Sequence, residues 1–321
     1  MVHSSRSPLV KAIFIVGLPR TGSTLWAKII AKNPHILVFD EMHYLSPLRK
    51  DFRYVLKKKA GNLESDDNVR NLVEVLFHKN RLEGFRGGFW VEIKRRKQEL
   101  KPIILERILK SDRSLWSIFK ILVEEGTRSF GYNQCLVKFP VHFAYVRQLR
   151  AWFPEAKIIQ ITRDPRATAV SKSSDPGGTE KLINRYAGLQ KAIVTAAKVY
   201  VILQYILSSH IYKKMKHIDN YRLFSFEELL VRPEATLSRL CDFLNIEYSD
   251  TMLEMSKGQP SSITGLSYNG LNPEAAISWR NKMSNWESRL IYEITKKSMS
   301  RLDYNPNYYH VVLDKKNCYL Q

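Results

Sequence analysis

Short apolar runs alternate along the chain with longer stretches in which apolar residues recur every third or fourth position. Runs at Lys11–Gly17, Ile36–Phe39, Gln134–Phe139, Lys157–Thr162 and Tyr221–Phe226 read as strands. Each is apolar nearly throughout, the pattern of strands covered on both faces. Helical periodicity fills the intervals: Ser23–Lys32, Asp66–Lys79, Ser114–Ser129, His142–Trp152, Ala167–Ser173, Lys181–Lys216, Pro233–Leu244 and Trp286–Leu302. Strand–helix alternation predicts a three-layer α/β fold around a central parallel sheet of about five strands.

Residues 45–113 fit this alternation poorly. They hold no convincing strand, and nine Lys and nine Arg against ten acids give the block +8. The reading is a single domain over 1–321 with a basic helical insertion at about 45–113, lying over the sheet's carboxyl edge. Ser173–Thr179 and Ser256–Pro273 are rich in Gly, Pro and Ser, as gates near a ligand or plain connections are. Ala192–Ile211 is apolar enough to be mistaken for a membrane span, but it contains Lys198, Gln204 and His210. A charge at mid-span costs about 3 kcal/mol, so a long buried helix is expected and no transmembrane span.

Charge sharpens the picture. The 321 residues carry 51 Lys+Arg against 31 Asp+Glu, a net +20, so an anionic partner is expected. Nucleic acid, anionic lipid, glycan or a phosphate-rich cofactor would each fit. Three scattered cysteines are no disulfide framework. With no Asn-x-Ser/Thr acceptor and a short polar N-terminus, a cytoplasmic location is expected. No His, Cys or Asp cluster has metal-ligand spacing.

The sharpest local feature is Ile13–Trp26. An apolar strand enters a loop bounded by Gly17 and Gly22, and a helix starts at Ser23. Such a turn aims backbone amides and a helix N-terminus at one point, which suits a phosphate. The glycine spacing is that of the nucleoside triphosphatase loop, but Ser23 stands at its lysine position and the cation is Arg20. Thr21, Gly22, Ser23 and Thr24 complete the candidate cradle. Further along, Arg163 ends a strand, Asp164 and Pro165 start a helix, and Ser171 lies on that helix. Arginine at the carboxyl end of a strand is placed for a ligand and forks onto phosphate. A local ion pair is the alternative for Arg163, and an ordinary helix position for Ser171.

Together, in this order and spacing, the two motifs resemble the sulfotransferases that use 3′-phosphoadenosine 5′-phosphosulfate (PAPS). The resemblance covers Ile13–Glu41, Cys135–Ser174, Tyr221–Ile246 and, loosely, Trp279–Tyr304. It implies that the first loop binds the 5′-phosphosulfate and that Arg163 and Ser171, eight apart, bind the 3′-phosphate. The product would be adenosine 3′,5′-bisphosphate (PAP). It also implies Lys138 as a second cation on the leaving group, twenty-five residues before Arg163 as in the tyrosylprotein branch. The cytosolic phenol and steroid branch has its histidine base where this chain has Pro140. The tyrosylprotein and bacterial branches carry a glutamate twenty-one residues after the loop arginine, here Glu41. Glu41 is therefore the candidate base, His142 the runner-up and His43 third; helix capping is the alternative role for Asp40 and Glu41. Phe226 stands where the family supplies an aromatic to the adenine, and core packing is an equal reading. Trp26 reads as packing. Arg280, after Trp279, resembles the basic region that closes over the 3′-phosphate.

The implied activity is sulfuryl transfer from PAPS to a hydroxyl or amine by in-line displacement. The rivals are a P-loop nucleotide kinase or hydrolase, and a non-enzymatic basic protein binding RNA or a membrane. The basic runs Lys57–Lys59 and Lys94–Lys97 are read as solvated helix faces, and no nucleic-acid partner is expected. The expected acceptor is a small molecule, glycan or lipid. The basic insertion points to an acidic or lipid-like one.

Overall fold

The computed structural model describes residues 9–39, 44–45, 53, 60–77, 97–138, 140–176, 178–254 and 271–306. In chain order the elements are β1 (Lys11–Gly17), α1 (Ser23–Ile30), β2 (Leu37–Phe39), α2 (Asp66–Phe77), α3 (Lys97–Leu109), α4 (Leu115–Ser129) and β3 (Gln134–Lys138). They continue with α5 (Val146–Trp152), β4 (Lys157–Thr162), α6 (Pro165–Ser173), α7 (Thr179–Arg185), α8 (Gln190–Met215) and β5 (Tyr221–Ser225). Last come α9 (Phe226–Val231), α10 (Pro233–Leu244) and α11 (Asn285–Arg301). The strands form a five-stranded parallel sheet in the order β2-β3-β1-β4-β5, flanked by helices. All five expected strands are present; those at Ile36–Phe39 and Tyr221–Phe226 are each shorter by one residue, and Phe139, at the end of a third, lies outside the described residues.

The chain divides into two compact units, Met1–Ile15 with Asn33–Ile158, and Val16–Lys32 with Ile159–Gln321. In the first, β3 pairs in register with β1 (Ile15 opposite Lys138) and with β2. Its core is aromatic: Phe14 stacks on Phe119 at 6.3 Å and meets Phe153 edge-on at 5.2 Å. Tyr44 stacks on Phe119 at 4.4 Å and donates its hydroxyl to the Leu115 carbonyl at 2.6 Å. The described residues of the basic block form the helices α2 and α3, packed with α4. Pro102, inside α3, obscures that helix in the sequence.

In the second unit α8 packs against α6 and α11. The expectation of a long buried helix at Ala192–Ile211 is corrected here. The stretch Ala187–Met215 is long and apolar enough to cross a membrane, yet only 28% of its most apolar window is buried. Its buried face is partly polar: Gln204, Ser208 and Ser209 point inward with Ala197, Val201 and Tyr205. Gln160 on β4 donates to Ser208 Oγ at 2.8 Å and accepts from the Tyr221 hydroxyl, which ties this face to the sheet. The predicted single helix Lys181–Lys216 also breaks, at the 3₁₀ turn Ala187–Leu189 around Gly188.

Candidate active site

The loop after β1 is shaped by close approach. Gly17 has φ +148°, and a Cβ there would stand 2.5 Å from the Ile161 carbonyl oxygen of β4. Only glycine fits both the conformation and the space. Arg20 also has positive φ, +75°, which is uncommon for a side-chain-bearing residue and marks a loop held by its surroundings. Thr21, buried, donates its hydroxyl to the Leu18 carbonyl at 2.8 Å and closes the turn. Gly22, φ +88°, starts α1 with no side-chain cap, as at helix starts that receive an anion. Ser23 is buried and Thr24 exposed on the first turn.

The turn after β4 is built as the sequence indicates. Asp164 caps α6 by accepting from the Arg166 amide at 2.8 Å, and Pro165 opens the helix. The fully buried Asp164 also receives a forked contact from the Arg166 guanidinium, 3.0 and 2.7 Å. That guanidinium lies 4.2 Å from the Trp279 ring. Arg166 and Trp279 are thus bound up with the capping carboxylate.

Arg163 reaches across to the first loop. Its Nη1 donates to the Arg20 carbonyl at 3.2 Å and its Nη2 to the Ala275 carbonyl at 2.9 Å. Its Nε is buried with no hydrogen-bond partner among the described residues. Arg20 in turn donates Nε–H to Ser171 Oγ at 3.2 Å, and its Nη1 lies 3.9 Å from Asp175 Oδ1. The structure therefore brings Arg20, Arg163 and Ser171 into one cluster. The sequence reading gives Arg20 and Ser171 to opposite phosphates of the cofactor; here they are hydrogen-bonded to each other.

Phe226 forms the floor of this cluster. The Arg163 guanidinium lies 4.3 Å from its ring centroid, and Gly22 sits so close that a Cβ would fall 2.3 Å from the ring. The ring is 7% exposed and packs with Leu230, Val231 and Ala276. Beside it, Glu227 accepts from the Asp164 amide at 2.9 Å and from the Ser225 hydroxyl at 3.1 Å. Burial pushes its carboxyl up to about 7, against the opposing pull of Arg163. Burial likewise lowers the Arg163 pKa from its ordinary value.

The remaining candidates stand on other elements. Lys138 ends β3 with its residue 3% exposed. His142 is fully buried in the 3₁₀ turn Pro140–Tyr145, and its Nε2 accepts from the Leu45 amide at 2.9 Å. Arg280 is on an exposed 3₁₀ turn, while Trp279 turns inward. Glu41 and His43 lie outside the described residues, as do Lys57–Lys59, Arg95–Arg96 and most of Ser256–Pro273. Two contributors were missed. Asp175 sits in the Ser173–Thr179 loop, whose Asp-Pro-Gly turn was the available signal. Glu227 directly follows Phe226 in the sequence, where nothing distinguishes a buried carboxylate from a solvated one.

The sequence model of the sulfotransferase family matches residues 12–250, well over half of the chain. The chain belongs to the sulfotransferase family. This enzyme is accordingly a sulfotransferase, and the kinase and non-enzymatic readings fall away. Its fold is similar to that of the sulfotransferase domain from the curacin biosynthetic pathway, with a TM-score of 0.56 and 19% identity over 93% of this chain and 99% of that one. The sulfotransferase domain of the Synechococcus PCC 7002 olefin synthase matches with a TM-score of 0.48 and 19% identity, over 90% and 95%. A mouse sulfotransferase solved in complex with PAP matches at 0.44 and 13%, over 95% and 88%. No curated protein matches the sequence.

Proposed function

We propose that this sulfotransferase takes its sulfuryl group from PAPS and passes it by in-line displacement to a hydroxyl or amine of a small-molecule, glycan or lipid acceptor. The chain acts in the cytoplasm and as one catalytic domain, and a family match that runs through both compact units supports the single domain. The observation that carries the PAPS reading is the junction of the two loops: Arg163 on the Arg20 carbonyl, and Arg20 on Ser171. Two guanidinium groups and a hydroxyl converge beside an uncapped helix start, a donor set matched to phosphate. The buried Arg163 Nε, without a partner among the described residues, fits an anion as its missing acceptor.

In this reading Arg163 and Ser171 hold the 3′-phosphate. The loop amides from Thr21 to Thr24 and the Arg20 side chain hold the 5′-phosphate side. Bound PAPS supplies the sulfuryl group on a phosphate leaving group. Arg20 and Lys138 stabilise the charge that develops on that phosphate. Phe226 supports Arg163 from beneath, and Arg280 contributes to the 3′-phosphate region. Glu41 takes the acceptor's proton. His142 is the weaker candidate for that role, because its Nε2 lone pair already accepts the Leu45 amide. No metal is required, since positioning and fixed cations meet the demands of the step.

Thermal unfolding with added nucleotide tests the proposal. PAP should raise the Tm, and ATP with Mg²⁺ should not. The reverse result would overturn the PAPS assignment. Incubating cell extracts with labelled PAPS and the enzyme would then expose the acceptor.

A further inference from the structure

We propose that the outward face of α8, continued by α7 and α11, docks this protein onto an anionic lipid surface. Along α8, Val199, Leu203 and Leu207 are 47%, 60% and 49% exposed. They are four residues apart and so form one line on the helix. On α11, Trp286, Leu290 and Ile294 repeat the spacing at 71%, 43% and 45% exposure. The two helices pack together, and Lys198 Nζ pairs with Glu287 Oε1 at 2.6 Å between them. Upstream, Leu182, Tyr186 and Leu189 are about half exposed as well. Single exposed aliphatics are ordinary on a soluble protein; two aligned rows on helices in contact are not.

Charge selects the occupant. Residues 181–217 contain seven Lys and Arg and no Asp or Glu. Lys181, Arg185 and Lys191 stand exposed at one end of the α8 line, and Lys213, Lys214 and Lys216 at the other. An aliphatic stripe between clusters of cations is the pattern of a helix lying in the interface of an anionic bilayer, with lysines at the headgroups. A second copy of the chain would set the cation clusters of α8 against their own counterparts; the acids of the flanking helices are Glu180 on α7 and Glu287 and Glu293 on α11, the last two already paired with Lys198 and Lys296. Nucleic acid would meet the cations and leave the leucines in water. Spanning the bilayer would strip α8 from Ser208–Gln160 and Lys198–Glu287. This inference does not depend on the identity of the sulfuryl donor.

The test is flotation of the full chain with phosphatidylcholine vesicles, with and without phosphatidylglycerol, across a salt series. Binding should require phosphatidylglycerol and weaken with salt. Leu203→Ser with Leu207→Ser should weaken it about tenfold or more. Lys213→Gln with Lys214→Gln should cost about fivefold per lysine. Both pairs are on the surface and should keep the wild-type Tm. As a readout free of those variants, brominated acyl chains should quench wild-type fluorescence more than that of Trp286→Phe. No binding to anionic vesicles at low salt, unchanged binding of the leucine pair, or equal quenching of both proteins would overturn the proposal. So would leucine-dependent self-association, or preference for an acidic peptide, in place of vesicle binding.

Discussion

Gly22→Ala tests the coupling between the phosphate loop and the floor beneath Arg163. Two separate costs are expected. The backbone at φ +88° is left-handed, which costs an L-residue about 1–2 kcal/mol. The new methyl would also lie 2.3 Å from Cδ2 and 2.8 Å from Cε2 of Phe226, so the ring must shift, an overpacking cost of about 1–3 kcal/mol. The single variant should therefore lose about 2–5 kcal/mol in urea unfolding. In a Phe226→Ala background the steric cost vanishes and the backbone cost stays. There Gly22→Ala should cost only about 1–2 kcal/mol, leaving a coupling energy of about 1–3 kcal/mol. Gly22→Ala should also weaken PAP binding, because the displaced ring carries the Arg163 guanidinium. An equal cost in both backgrounds, with unchanged PAP affinity, would refute the proposed packing.

Three further outcomes follow. Glu41→Gln should lower kcat by about 10²–10⁴-fold while PAP binding persists in calorimetry. His142→Ala should lower the Tm, through the lost packing and the orphaned Leu45 amide, in excess of any specific loss in kcat. Glu227 has a carboxyl pKa of about 7 against the ordinary 4.5, so the folded state holds a proton that the unfolded state releases. Its stabilising contribution is full below the unfolded value and is lost as pH rises through about 7. At ~1.36 kcal/mol per pH unit, the span is worth about 3 kcal/mol. Glu227→Gln, read by urea midpoints across that window, should flatten the decline.

The strands were legible because buried parallel strands are continuous apolar runs with few other meanings. Edge positions were less so: Leu37 and Val38 on β2 are half-buried and Arg222 on β5 is exposed, so edge strands lose the uniform pattern. The Asp164–Pro165 helix start was readable from local chemistry alone, since an N-cap needs only its own turn. Residues acting across the chain were not. Arg20 and Ser171 are separated by 151 positions, and their hydrogen bond depends on tertiary approach that periodicity does not encode. Trp279 read as part of a phosphate lid, yet it stacks on Arg166, because an arginine already forked onto Asp164 offers its flat face to a ring. The α8 stretch misled for a related reason. Mean hydropathy ignores which face of a helix is covered, and here the covered face holds the glutamine and serines.

The central claim is that Arg163 and its neighbours recognise the 3′-phosphate of a PAPS-type nucleotide. Calorimetric titration of wild type and Arg163→Ala with PAP and with adenosine 5′-monophosphate measures this directly. A charge-assisted contact to phosphate is worth about 1.5–3 kcal/mol, so wild type should prefer PAP by about 10–100-fold. Arg163→Ala should bind both nucleotides with nearly the same affinity. Equal affinities in the wild type, or a preference for PAP that survives in Arg163→Ala, would contradict the account.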